Sequence, residues 1–237
     1  MFHFIKIKKS IVFIGFLSYF YSAFAGAYDD FFRAVMVDDG RSVQALLQRG
    51  FDPNTVNPEG VPALMLALRL PAPKVADVLA GWPQTKVDVR NAQDESPLML
   101  AALRGQLDLV KKLVERDADV NKTGWTPLHY AATGGHVHVI EFLLEHSAYI
   151  DAESPNGTTP LMMAAMYGSP EAVKHFIQAG ADLHVKNELG LTALDFAQRG
   201  NRANNIELMQ EGLRRAAARQ ANKLPSDAGQ MPLAPKR

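Results

Sequence analysis

The chain has 237 residues, 25 basic and 25 acidic side chains, a formal net charge of zero and no cysteine. Without cysteine, disulfides, thiolate catalysis, lipid attachment at an N-terminal cysteine and cysteine zinc sites are all excluded. The neutral total hides a division: residues 26–213 carry 16 basic against 24 acidic groups, a net of minus eight that repels nucleic-acid phosphates and argues against a nucleic-acid partner.

The first 25 residues read as a secretory signal peptide, with Lys6, Lys8 and Lys9 as its basic opening, an apolar core from Ile11 to Phe24, and Ala23-Phe24-Ala25 as an A-x-A site. Cleavage after Ala25 leaves Gly26 first and directs the protein to the periplasm, where a chain without cysteine folds whether or not oxidase machinery reaches it. The alternative is an inner-membrane anchor formed by an uncleaved signal, since the uncharged run from Ser10 to Tyr28 approaches the roughly 20 residues that span a bilayer. Ser18, Ser22 and Gly26 weaken that run and favour cleavage. No other segment of the sequence is long and apolar enough to cross a membrane.

After the signal, residues 29–56 read as a capping repeat. One helix is predicted over 30–37 and a second over 42–50, ending on Gly50. Residues 57–90 form a degenerate repeat. Pro62-Ala63-Leu64-Met65-Leu66-Ala67-Leu68 gives its first helix, Pro71-Ala72-Pro73 replaces a glycine turn, and about three extra residues in Gly81-Trp82-Pro83-Gln84 predict a bulge. Trp82 there either is an exposed binding aromatic or lies across the stack with its apolar area covered.

The grammar then becomes regular. Thr126-Pro127-Leu128-His129-Tyr130-Ala131-Ala132-Thr133-Gly134-Gly135-His136 writes both ends of a helix, with Thr126 as N-cap, Pro127 at the first helical position and the two glycines as a left-handed stop. Ser96-Pro97-Leu98, Thr159-Pro160-Leu161 and Thr192-Ala193-Leu194 repeat it, the four capping residues lying 30, 33 and 33 apart. Second helices carry paired apolar positions at helical spacing: Leu109-Val110 with Leu113-Val114, Val139-Ile140 with Leu143-Leu144, and Val173 with Phe176-Ile177. Ala101-Ala102, Ala131-Ala132 and Ala164-Ala165 are small where first helices must approach closely.

A period near 33 with this motif resembles the ankyrin repeat. The resemblance spans about 29–220 and implies an all-α solenoid of six helix-turn-helix repeats with short finger hairpins: 29–56, 57–90, 91–121, 122–151, 152–185 and 186–220. Residues 221–237 are predicted as a disordered tail, because prolines and few large apolar residues dominate it. The interval of 30 between Ser96 and Thr126 predicts that the finger Asn121-Lys122-Thr123-Gly124-Trp125 is three residues short.

Seven histidines invite a metal reading, yet His136 and His138 project about 200° apart on one helix and cannot share an ion without distortion. The resemblance assigns His129 a structural hydrogen-bonding role. There is no nucleophile elbow, zinc-protease helix, phosphate-binding loop or dinucleotide fingerprint, and acid pairs such as Asp38-Asp39 and Asp94-Glu95 fall in turns. The expectation is therefore a non-enzyme with no metal or cofactor that binds a protein partner, as a monomer, and contacts neither nucleic acid nor membrane after signal cleavage.

By the family pattern the exposed finger and first-helix positions are Glu95, Leu103 and Arg104, then Trp125 and Thr133, then Asn156, Thr158, Met166 and Tyr167, and finally Leu191, Gln198 and Arg199. About half are expected to cover neighbouring repeats. Trp125 either meets a partner or packs on the next finger. The chain further resembles signal-bearing ankyrin proteins of Gram-negative bacteria, which implies a role in oxidative-stress protection or as partner of a periplasmic enzyme. An immunity or inhibitor protein that blocks a toxin or hydrolase is the other reading.

Overall fold

The computed structural model describes residues 26–223, and residues 1–25, read from sequence as a signal peptide, and residues 224–237 lie outside them. Among the described residues the regular structure is helical, apart from one isolated antiparallel bridge between Val56 and Pro62. The chain divides into two compact units, one through Val120 and one from Asn121.

The first unit holds three helix pairs: α1 (26–36) with α2 (Gly40–Gln48), α3 (Ala63–Arg69) with α4 (Pro73–Gly81), and α5 (Pro97–Leu103) with α6 (Leu107–Val114). First helix packs on first helix, α3 on α5, and second on second, α2 on α4 on α6. Its core is built from Phe31, Val35, Leu64, Met65, Leu68, Leu79, Leu98, Met99 and Leu113, all essentially inaccessible. Burying each such side chain contributes about 1.5–3 kcal/mol over leaving it in water. The degenerate second repeat keeps this core while losing its caps, since neither Pro62 nor Ala72 offers a side chain to the helix it precedes.

The second unit holds α7 (Pro127–Gly134) with α8 (Val137–Glu145), α9 (Pro160–Tyr167) with α10 (Pro170–Ala179), and α11 (Ala193–Arg199) with α12 (Ala203–Lys223). Here too α7 packs on α9 and α9 on α11, while α8 meets α10 and α10 meets α12. Ala131, Ala132, Ala164 and Ala165 have no exposed surface, and the first helices lie close because nothing larger stands there. Gly135 adopts φ +69°, and a Cβ placed on it would sit 2.6 Å from the Ser169 nitrogen, so the stop requires glycine for both conformation and space.

The four capping residues act as their spacing predicts. Ser96, Thr126, Thr159 and Thr192 each accept the backbone N–H three residues on, from Met99, His129, Met162 and Asp195, at 3.2–3.4 Å. In return, each third residue accepts the cap's own N–H through a different atom: Met99 Sδ, His129 Nδ1, Met162 Sδ and Asp195 Oδ2. The Thr192 bonds to Asp195, hydroxyl first and backbone second, hold that carboxyl below its ordinary range.

Helix boundaries move at both ends of the chain. Helix α1 already occupies residue 26, ahead of the start read from sequence at 30, and α2 stops at Gln48, leaving Arg49 and Gly50 to turn the chain. At the other end, α12 continues through Lys223, so residues 221–223 are helical and do not belong to the tail. Ala216, Ala217, Ala218 and Ala221 are strong helix formers and carry the helix on.

Candidate protein-interaction surface

The fingers are set by a polar residue five positions before each helix cap. Asn57, Asn91 and Asn187 accept finger N–H groups through Oδ1, from Val61, from Gln93 and Glu95, and from Leu189 and Leu191, while Ser154 accepts from Thr158 through its hydroxyl. Each of these fingers also closes a backbone bond from that residue to the fourth residue on, at 3.0–3.2 Å. Such Asx-type turns fix a finger's shape through its own side chain. A second polar residue stitches each finger to the next repeat within its unit. In the first unit Asn54 Oδ1 accepts from Lys86 N–H and Asp88 Oδ1 from Asp119 N–H; in the second, Asn121 Oδ1 accepts from Tyr149 N–H and Asp151 Oδ1 from Asp182 N–H. Burial raises the Asp151 carboxyl above its usual range.

The short finger is built differently. Lys122 is 8% exposed and its amine donates to the Thr123 carbonyl at 2.8 Å, while Gly124 takes φ +81°. Trp125 is half-buried, with its ring edge-on to the His129 imidazole at a centroid distance of 5.2 Å. It therefore packs on the first turn of its own repeat's α7, a contact that neither reading of Trp125 from sequence included. His129 is fully buried. Its Nδ1 accepts the Thr126 N–H at 3.2 Å, which leaves Nε2–H to donate to the Thr158 carbonyl at 2.8 Å. Desolvation pushes the imidazole down to about 4, against smaller opposing pulls from the Thr158 and Ala152 carbonyls, so it is neutral at pH 7.

The other candidate positions separate by burial and by the bonds they make. Thr158 is 2% exposed and is corrected to a structural residue, because its carbonyl and N–H are both used inside the stack. Glu95 is mostly covered, accepting from Asn91 at 2.6 Å and pairing with Arg69 at 3.3 Å, and Thr133 turns its hydroxyl back to the His129 carbonyl at 2.8 Å. Arg104 is exposed but its guanidinium is engaged with the Arg69 carbonyl, where it satisfies the C-terminal end of α3. Met166 and Leu191 are half-buried. Leu103, Asn156, Tyr167, Gln198 and Arg199 are exposed, Tyr167 at 53% and Leu103 at 36%.

Exposed apolar residues also stand outside the candidate positions read from sequence, Leu189 and Tyr149 among them. Leu189 is 74% exposed at the tip of the last finger, and Tyr149 is 68% exposed in the turn after α8. The signal for Leu189 was present: it follows Asn187 by two residues, inside the Asx turn that presents it.

His138 and His175 each place Nδ1 3.5 Å from a Glu141 oxygen on the second helices, and among the described residues no group of three or more histidine or acidic side chains is arranged to hold a metal ion. Among the same residues no helix is long and apolar enough to cross a membrane.

Comparison with known sequences agrees with the repeat grammar. A family profile described as Ankyrin repeats (3 copies) matches residues 31–123, 72–154, 98–187 and 150–216. The chain is 30% identical over 142 residues, 58% of its length, to the Ankyrin repeat and SAM domain-containing protein 6 of Rattus norvegicus, of which it covers 16%. It is 34% identical over 125 residues, 52% of its length, to the Ankyrin repeat and KH domain-containing protein mask-1 of Caenorhabditis elegans, covering 5% of that protein. Similarity to the Neurogenic locus notch homolog protein 1 of Xenopus tropicalis reaches 36% over 117 residues, 48% of the chain and 4% of that relative. The chain thus spans under a fifth of the length of these relatives, and the likeness lies in the repeats. With the profile matching most of the sequence and the caps, fingers and buried histidine in place, the chain belongs to the ankyrin-repeat family.

Proposed function

We propose that this protein is a non-catalytic interaction module that is exported to the periplasm and binds a protein partner through its fingers and first helices. The observation that carries the reading is Tyr167, a large aromatic 53% exposed at the end of α9, with half-buried Met166 beside it in sequence. Tyrosine supplies large contact area at low ordering cost, and a surface pre-shaped by repeats loses little entropy on binding. Arg199 and Gln198 close α11 in the same way and supply polar contacts.

Support for export is the charge and hydropathy pattern of residues 1–25 together with the absence of cysteine. A link to oxidative-stress protection rests on resemblance to exported bacterial ankyrin proteins.

The test is cross-linking in the native periplasm followed by capture, with the wild type beside a Tyr167→Ala/Arg199→Ala variant. Recovery of one partner that falls severalfold in the variant, at an unchanged melting temperature, supports the surface; equal recovery refutes it. Mature protein should begin at Gly26, and an intact species in the inner membrane would refute cleavage and favour the uncleaved anchor. If the captured partner is an enzyme that loses activity in the complex, the protein is an immunity or inhibitor protein and not a scaffold.

A further inference from the structure

Helix α1 carries two apolar stripes where one would suffice for a cap. Phe31, Ala34 and Val35 are buried in the core, while Tyr28, Phe32 and Met36 recur every fourth residue along an adjoining stripe, with Met36 61% exposed. This second stripe lines a groove of about 510 Å³ together with Leu66 of α3 and the finger residues Asn57, Pro58 and Glu59. Its walls are fixed in advance. The Tyr28 hydroxyl donates to the Val56 carbonyl at 3.1 Å, and the Phe32 ring is held 4.8 Å from Tyr28 and edge-on to Phe31 at 5.3 Å.

The rim is acidic. Asp29 and Glu59 line the groove, and the one cation in its lining, Arg33, faces Asp30 at 3.4 Å. An end cap needs a polar outer face, and a row that runs from half-buried Tyr28 and Phe32 to exposed Met36 contradicts that need unless something binds there.

We propose that this groove docks a peptide segment of a partner protein in which a large apolar residue is flanked by lysine or arginine. The apolar residue enters between Phe32, Met36 and Leu66. The flanking cations meet Asp29 and Glu59 and lie against the faces of Tyr28 and Phe32. The site extends the finger and first-helix surface of the proposed function to the first two repeats and rests on that reading, but it uses none of residues 166, 167, 198 and 199, so the Tyr167 variant and the groove variants can fail separately.

The test uses the full chain and a fluorescein-labelled peptide with one tryptophan between two lysines, against the same peptide with glutamates in place of the lysines. At low ionic strength the basic peptide should bind about tenfold tighter, and an Asp29→Lys/Glu59→Lys variant should erase or reverse that preference. Met36→Ala, at a site too exposed to threaten the fold, should weaken binding of the basic peptide severalfold at an unchanged melting temperature. Equal binding of the two peptides, or unaltered affinity in the double variant, overturns the proposal. So does a concentration-dependent dimer that the double variant abolishes, because a second copy would then occupy the groove.

Discussion

Repeat two and repeat four reach the same two-helix geometry by different means. Repeat four is held locally: Thr126 caps α7, Gly135 ends it, and His129 joins the cap to the next repeat's Thr158. Repeat two has neither side-chain cap, and its exposed carbonyls are received from a distance. Arg104 reaches the Arg69 carbonyl, and Arg116 spreads its guanidinium over the carbonyls of Ala80, Pro83 and Thr85 at 2.7–2.9 Å. Lys112 adds an ion pair with Asp77. A repeat that loses its motif keeps its fold when a neighbour inside the same unit supplies long basic side chains for the unpaired backbone.

This contrast can be broken at graded points. The largest effect belongs to His129→Ala, which leaves the buried Thr126 N–H without its side-chain acceptor, takes one of two donors from the Thr158 carbonyl and opens a cavity, at roughly 3 kcal/mol in chemical denaturation. The pH dependence has a definite sign. The folded imidazole is depressed to about 4 from its ordinary 6.5, so the contribution of neutral His129 is full above about pH 6.5 and is lost as pH falls toward 4. The gap in stability between wild type and His129→Ala should therefore shrink between pH 7 and pH 4.5, and a constant gap would contradict a buried neutral imidazole.

Next in size is Arg116→Ala. One charged group serves three carbonyls, and its removal should cost about 2 kcal/mol even though the residue lies outside the repeat it supports. Thr126→Ala removes a single cap and should cost about 1 kcal/mol, read from the same denaturation curves. If Arg116→Ala proved cheaper than Thr126→Ala, the clamp would be incidental and repeat two would be held by its core alone.

Much of this was legible in the chain. The caps at 96, 126, 159 and 192, the close-packed alanine pairs and the short fourth finger follow from spacing, because each rests on interactions within a few residues. What spacing could not supply was the destination of side chains that cross between repeats. Arg104 looks like a free surface cation until the α3 carbonyl it covers is known, and Thr158 looks like a finger residue until His129 meets it. Trp125 was visible as an irregularity, but its packing on His129 depends on the short finger folding back over α7. The second stripe of α1 is written at positions 28, 32 and 36, but a helix read from residue 30 leaves Tyr28 outside it and the stripe incomplete.

The account assigns binding to the first-helix and finger positions and only packing to the second helices. Its most direct test is a photo-reactive amino acid placed at position 167, at the end of α9, or at position 174, an exposed site on α10, followed by irradiation in the native compartment. A discrete cross-linked partner from 167 and none from 174 is the expected result; equal labelling from both, or a partner from 174 alone, would contradict the assignment.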